Sequence, residues 1–344
     1  MTKREKITTK DWTYNGEVKN GKPHGKGKRT WSVKVPFKQG TKYEGSFKNG
    51  KENGKGKLRF PPEEGKGDLY IGGFKEGKFH GKGIYTNEDM GKHYQSGLKD
   101  IGVWKNGKPI KGKTIYKDGT KYIGDWTWTV PAHFGIPIAH GYGKITYPNG
   151  NKFVGKFYND EPVKGEGTIH WNDAKYVGEL RTKDGSLDQH GEGIMTFKNG
   201  DKLIGYWKDA KPIKAKKYVF FGEDIKWEYE GTLGFGGGDI VNGKGILKTI
   251  DTKNKGYYTF EKGNFVKCIL EGRGTRAFYY DKNFTRPFQI YKGEFKNGKY
   301  HGKGEEVIYD LAEGWIKLKG TFKKGEIVVN KNTKKIKLRK DQIQ

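Results

Sequence analysis

The sequence predicts an all-β protein: an elongated, twisted antiparallel sheet of about twelve consecutive β-hairpins, non-globular. Three observations carry that prediction. The first is composition. Of 344 residues 55 are Gly, aromatics reach 14%, and all hydrophobic residues together reach only 32%, with a mean hydropathy of −0.94. So little apolar content would ordinarily leave a chain disordered, but disordered chains are poor in aromatics. Gly with aromatics suits short strands and tight turns, and 11 Pro are too few for a collagen-like triplet. The second is a set of Asn-Gly turns at 20–21, 49–50, 106–107 and 297–298 between alternating runs, the strongest short-range hairpin signal. The third is a repeat, seen at once in Tyr43-Glu-Gly-Ser-Phe47 and Tyr291-Lys-Gly-Glu-Phe295, each followed by Lys-Asn-Gly-Lys.

The repeat has the form x-x-Gly-x-(aromatic or aliphatic). In chain order its glycines are Gly16, Gly45, Gly72, Gly102, Gly124, Gly155, Gly178, Gly205, Gly231, Gly263, Gly293 and Gly320, spaced 22 to 32 residues apart. Two places later stand Val18, Phe47, Phe74, Trp104, Trp126, Phe157, Leu180, Trp207, Leu233, Phe265, Phe295 and Phe322. Residues 1–11 precede the repeats as a basic tail. Repeats fill 12–204, interrupted by an apolar insertion at 127–139. Divergent and C-terminal repeats fill 205–325, with insertions at 234–242 and 275–290, and a Lys-rich tail occupies 326–344. The unit around Gly263 has Glu261 where an aromatic is expected. The unit around Gly205 has Ala210 for the turn Gly and Ala215 for the following Gly. These departures predict a bend or break within 205–290.

Each unit has a second half, x-Gly-x-Gly, headed by His24, His80, His140, His190 or His301 in five of them. Strand side chains alternate, so Tyr, Gly and Phe/Trp at i, i+2 and i+4 share one face. Gly weakens a strand unless a ring or backbone must approach closely. Its recurrence beside aromatics therefore predicts that each ring lies over a neighbouring Gly, and that hairpins stack to bury a face none could bury alone.

The pattern Tyr-x-Gly-x-Phe/Trp-x-Asn-Gly-x-x-His-Gly-x-Gly resembles the MORN repeat (membrane occupation and recognition nexus), over about residues 12–325. The resemblance implies an extended sheet of hairpins, roughly 110 Å long for twelve unbroken units at two strands each. It also implies a repeat-only protein like the axonemal, radial-spoke and protist cytoskeletal members. Most units here are longer than the family's compact form.

Chemistry-bearing motifs are sparse. Gly107-Lys-Pro-Ile-Lys-Gly112-Lys113-Thr114 matches the phosphate-cradling loop G-x-x-x-x-G-K-[ST]. A strand, a turn and the next repeat follow it instead of a helix, so these are hairpin residues. The five repeat histidines recur at one structural position, a hairpin or more apart, and His93, His133 and His170 are isolated. Cys268 is the only cysteine, which excludes a disulfide framework. No catalytic, cofactor-binding or metal residues are assigned, no cofactor is expected, and the chain reads as non-enzymatic. No apolar run approaches a membrane span and no secretory signal is visible, so a cytoplasmic protein is the expectation.

Net charge is +28, with 68 Lys and Arg against 40 Asp and Glu, and only 8 of the basic residues are Arg. Lys is a point charge where Arg is a bidentate fork. The balance favours attraction to an acidic surface over sequence reading of nucleic acid, with compositional bias toward Lys as the second source. Candidate partner contacts are Trp128, Phe134 and Ile136 in the apolar insertion, and Phe278, Tyr279 and Arg286 in the basic-aromatic one. Lys334, Lys335, Lys337, Arg339 and Lys340 are candidates in the tail. The favoured function is a structural scaffold in a large ciliary (axonemal) or cytoskeletal assembly. Its partners would be other protein subunits, with tubulin or axonemal proteins as candidates. The alternatives are a membrane-associated adaptor for anionic phospholipid and a structural subunit of an organellar complex.

Overall fold

The computed structural model describes residues 3–32, 39–61, 67–86, 99–128, 137–234, 241–251, 258–339 and 342. They contain strands and no α-helix. The first compact unit, Met1–Thr168, holds β1 (Lys3–Thr8), β2 (Trp12–Lys19), β3 (Lys22–Trp31), β4 (Lys42–Lys48), β5 (Lys51–Arg59), β6 (Leu69–Lys75), β7 (Lys78–Thr86), β8 (Lys99–Lys105), β9 (Lys108–Ile115), β10 (Lys121–Trp128), β11 (Pro137–Thr146), β12 (Lys152–Tyr158) and β13 (Glu161–His170), the last crossing its boundary. The second, Ile169–Gln344, holds β14 (Ala174–Lys183), β15 (Ser186–Phe197), β16 (Lys202–Lys208), β17 (Lys211–Phe221), β18 (Ile225–Leu233), β19 (Val241–Asp251), β20 (Tyr258–Val266), β21 (Ile269–Tyr279), β22 (Pro287–Lys296), β23 (Lys299–Asp310), β24 (Gly314–Lys323), β25 (Glu326–Val328) and β26 (Lys334–Lys337). Within each unit successive strands pair antiparallel with their chain neighbours, and β26 returns to β24 beside β25.

The register explains the glycine content. In the first unit one row runs across twelve strands, Gly16–Gly27–Gly45–Gly56–Gly72–Gly83–Gly102–Gly112–Gly124–Gly143–Gly155–Gly165, each glycine opposite the next. In the second, Gly178–Gly193–Gly205–Ala215–Gly231–Gly245–Gly263 does the same, and Gly274–Gly293–Gly304–Gly320 follows. The row is a trough without side chains, and rings fill it. A Cβ on Gly45 would meet the Tyr43 hydroxyl at 2.5 Å, and one on Gly56 the Tyr43 ring Cζ at 2.5 Å. Gly16, Gly72, Gly124, Gly178, Gly231 and Gly293 likewise lie under their own hairpin's Tyr, and Gly155 under Phe153. Gly102 lies under Trp126 of the next hairpin, because Asp100 stands where its own Tyr would be. Leu270 covers Gly263 and Ile327 approaches Gly320, while Gly205 faces the Lys214 carbonyl.

Each trough tyrosine also finds a polar partner. Its hydroxyl donates to the carbonyl three residues on: Tyr14 to Glu17 at 2.6 Å, Tyr122 to Asp125 at 2.7 Å, Tyr229 to Thr232 at 2.7 Å and Tyr291 to Glu294 at 3.0 Å. Neighbouring hairpins meet edge to face. Tyr14 meets Phe47 at 4.9 Å between centroids, Tyr43 meets Phe74 at 4.8 Å, and Tyr176 meets Trp207 at 5.1 Å. The turns are joined as well: Gly50, Gly77 and Gly107 donate N–H to the carbonyls of Pro23, Glu52 and Phe79 in the preceding hairpin, at 2.9, 2.9 and 2.8 Å. The predicted nearest-neighbour stacking is thus built from rings on one face and backbone bonds at the tips.

The expected break within 205–290 does not occur among the described strands: from β16 to β22 each pairs with the next, with register shifts in five of the pairings, and the chain divides into compact units at 168/169. Glu261 is accommodated because the Arg276 side chain donates to it at 2.7 Å and lies over the Phe295 ring. The basic ends are also strands. β1 pairs along β2, and the Lys-rich segment β26 pairs with Ile316–Lys319 of β24, with Lys335 bonded to Glu313 at 2.6 Å.

Candidate partner-binding surfaces

Alternation gives each unit two unlike faces. Tyr14, Tyr43, Phe47, Tyr70, Phe74 and Trp104 are buried on the ring face. Their strand neighbours point the other way and are largely Lys: Lys42 and Lys48 on β4, Lys51, Lys55 and Lys57 on β5, and Lys105 on β8 are all exposed. The turn form Lys-x-Gly-Lys adds a second concentration. Lys19 lies opposite Lys22, Lys48 opposite Lys51, Lys75 opposite Lys78 and Lys105 opposite Lys108. Like charges directly opposite destabilise a sheet, and Lys51 alone among these eight is ion-paired, with Glu76 at 2.8 Å, among the described residues.

The ring face uses its charges internally. Arg29, 7% exposed, donates to Glu52 at 2.6 Å and to the Gly50 carbonyl at 2.6 Å, and lies 4.5 Å over Trp12. Burial raises the Glu52 carboxyl, and Arg29 opposes that shift. Asp100 is fully buried and accepts a bond from Thr114 at 2.7 Å, while its Oδ2 has no partner. Burial pushes its pKa to about 7; the Thr114 bond lowers it and the Asp160 charge raises it. Asp160 is itself raised by burial, against a bond from the Ala139 N–H at 2.6 Å. Sixty residues of sequence separate Asp100 and Asp160, and the stacking of hairpins is what lets the charge of Asp160 act on Asp100.

The candidate contacts fall in three places. Trp128 ends β10 with Lys108 Nζ 5.1 Å above its ring, whereas Phe134 and Ile136 lie outside the described residues. Phe278 and Tyr279 end β21, where rings pack on one another: Phe278 meets Phe288 at 6.1 Å and Tyr279 meets Phe284 at 5.2 Å. Asp281 caps the intervening loop, accepting from Asn283 at 3.0 Å and from the Arg286 N–H at 3.5 Å. The 275–290 insertion is thus a lengthened hairpin. Lys334, Lys335 and Lys337 belong to β26, the Arg339 N–H donates to Gln342 at 3.1 Å, and Lys340 lies outside the described residues.

The phosphate-loop match resolves into hairpin parts: Gly107 is the turn, Gly112 pairs with Gly102, and Thr114 bonds Asp100. His80 Nδ1 accepts the Asn106 N–H of the next turn at 3.4 Å, a bridge between hairpins. Among the described residues no group of three or more His, Cys, Asp or Glu could hold a metal ion, and no helix is long and apolar enough to cross a membrane.

The MORN-repeat family model matches residues 14–33, 43–62, 70–89, 138–152, 188–202 and 291–310. No curated protein matches the chain. Four of the six matched segments open on a trough tyrosine, Tyr14, Tyr43, Tyr70 or Tyr291. With its glycine row, ring-filled trough and stacked turns, the chain is a MORN-repeat protein.

Proposed function

We propose that this chain is a non-catalytic scaffold subunit of a large assembly, in the ciliary axoneme or the cytoskeleton. MORN-repeat proteins are generally non-catalytic structural modules, and their repeats mediate protein or phospholipid interactions. The observation that carries the reading is the sidedness of each unit. The ring face is consumed by its own packing, while lysines stand on the opposite face and along the turn tips. A broad basic display complements an acidic protein surface such as a microtubule. A tagged copy tests it. Co-purification with a detergent-resistant cytoskeletal fraction, with release at high salt, is expected; a uniform soluble pool overturns it.

The same basic display supports a second reading, an adaptor on anionic membrane, because each Lys near such a surface contributes about 1 kcal/mol. Co-sedimentation with phosphoinositide-containing vesicles at ~150 mM salt tests it, and failure to sediment removes it.

A further inference from the structure

An apolar stripe crosses the lysine face of the first unit. Ile71 on β6 lies opposite Ile84 on β7, and Ile84 lies opposite Ile101 on β8. Ile71 is 47% exposed and Ile101 38%. Isoleucine on a solvated strand face leaves apolar area in water that a lysine there would not. Beside the stripe the backbone is bare of side chains, and two adjoining depressions form. One, of about 360 Å³, is lined by Ile84, Ile101, Val103 and Lys82 over the glycine row. The other, of about 320 Å³, is lined by Ile71, Gly72, Gly73, Lys55 and again Lys82.

Lysines bound the stripe at both ends and along one flank. Lys57 lies opposite Ile71 at one end and Lys113 opposite Ile101 at the other. Along one flank run Lys55, Lys82 and Lys111; on the other, Lys99 follows Leu69 and Thr86. Glu44 lies opposite Lys57 and Asp125 opposite Lys111, but the Glu44 carboxylate is engaged by Lys28 at 3.1 Å and that of Asp125 by the Tyr142 N–H at 3.1 Å. None of the six lysines is in an ion pair among the described residues, whereas Lys28 and Lys51 do find carboxylates. Six cations around one apolar stripe, with two carboxylates already engaged beside them, attract an acidic partner.

We propose that this face docks an acidic amphipathic helix of a partner protein, its apolar residues on Ile71, Ile84 and Ile101 and its carboxylates on the flanking lysines. The stripe runs across the strands in the interior of the sheet, where backbone groups are already paired. A docked strand would find no free edge there; a helix satisfies its own backbone and needs none. Ile71 on β6 and Ile101 on β8 lie two strands, roughly 10 Å, apart, which matches the ~10.5 Å between residues i and i+7 of a helix. Apolar side chains fixed at one spacing suit partners held on a rigid element better than the fluid surface of a bilayer. The inference rests on the scaffold reading and names the kind of partner and its seat.

The probe is a synthetic helix of about 20 residues with Leu at heptad spacing and Glu on both flanks, labelled for fluorescence anisotropy against the full chain. Three comparisons are run: a scrambled peptide of identical composition, vesicles of phosphatidylcholine with phosphatidylserine, and two double variants. Ile71→Thr with Ile101→Thr keeps β-branched residues on the exposed strands, and Lys82→Gln with Lys111→Gln removes flanking charge; circular dichroism confirms that both fold. Tighter binding of the patterned helix than of the scrambled one, weakened about tenfold by either double variant, is expected. Equal binding of the two peptides, or indifference to the Ile variant, overturns the proposal, as does an Ile variant that weakens vesicle binding and leaves peptide binding unchanged. Cytoskeletal fractionation is a separate readout. If the helix fails while the chain remains in that fraction, only the docking site falls. If the chain proves freely soluble while the helix binds, only the assembly reading falls.

Discussion

Asp100 occupies the place where neighbouring hairpins put a tyrosine, and burial there disfavours its charge. Its carboxyl has an ordinary value of 3.8 and is held at about 7 in the fold. A raised acid pKa contributes stability that is fully present below the unfolded value and is lost as pH rises through the folded one. Asp100→Asn should therefore change little at pH ~4, yet stabilise the first unit by roughly 2–4 kcal/mol at pH ~8, as urea denaturation at the two pH values will show. The glycines divide by cause. Gly56→Ala places a Cβ 2.5 Å from the Tyr43 ring and should cost about 2–3 kcal/mol by forcing the ring out of its trough. Gly50→Ala meets nothing within 4 Å but sits at φ +88°, so its cost is only the left-handed backbone, about 1 kcal/mol. Tyr43→Phe keeps the ring and removes the hydroxyl's 2.9 Å bond to the Ser46 carbonyl, a loss of about 1 kcal/mol. Phe153, buried over Gly155 and Gly165, shows that a ring without a hydroxyl fills the same trough. Thermal unfolding of the three variants should show Gly56→Ala as the costliest and the other two as alike.

A hairpin is the element that the repeat encodes, and its second strand comes in two lengths. Where His-Gly is present, Gly16 lies opposite Gly27 and Val18 opposite Pro23, so the second strand carries two extra residues. Gly25 takes φ +64° in that bulge, and the Glu17 carboxylate accepts the Lys26 N–H at 3.1 Å. Where Pro-Ile-Lys-Gly112 replaces it, only one residue is extra and no such glycine is needed. The outer edge of β24 is covered in turn, since β25 and β26 both pair along it. An uncovered edge strand pairs with other chains unless charge or bulges prevent it. Ending the chain at Gly325 bares that edge. Light scattering on the truncated protein should show concentration-dependent association absent from the full chain, whereas a monomer at every concentration would mean the cap is dispensable.

Across each unit the same alternation that buries the rings sends the lysines outward, so the +28 charge is sided. Stability in such an array is a sum over hairpins and their nearest-neighbour contacts. Damage from Gly56→Ala should therefore appear first as lost amide protection in β4 to β7, where Tyr43 meets Phe47 and Phe74, and leave β11 to β13 protected. Hydrogen exchange read by mass spectrometry checks this; uniform loss across the unit would mean a single cooperative block instead.

The spacing of Tyr, Gly and Phe/Trp determined by itself that the chain is a hairpin array, because period-two alternation and Asn-Gly turns are local rules. It also determined that rings lie on glycine, since nothing else makes Gly tolerable at the same strand position in unit after unit. Only the tertiary structure decided how the hairpins line up. That alignment brings twelve glycines of the first unit, one per strand from β2 to β13, into one row, stacks the turns, and sets Trp126 over the trough that Asp100 leaves open. It also folds the basic tail onto β24 and gathers Ile71, Ile84 and Ile101 from three strands. Each of these depends on register between strands of different hairpins. Register is fixed by cross-strand packing and hydrogen bonds among residues distant in sequence, so no window of the chain contains it.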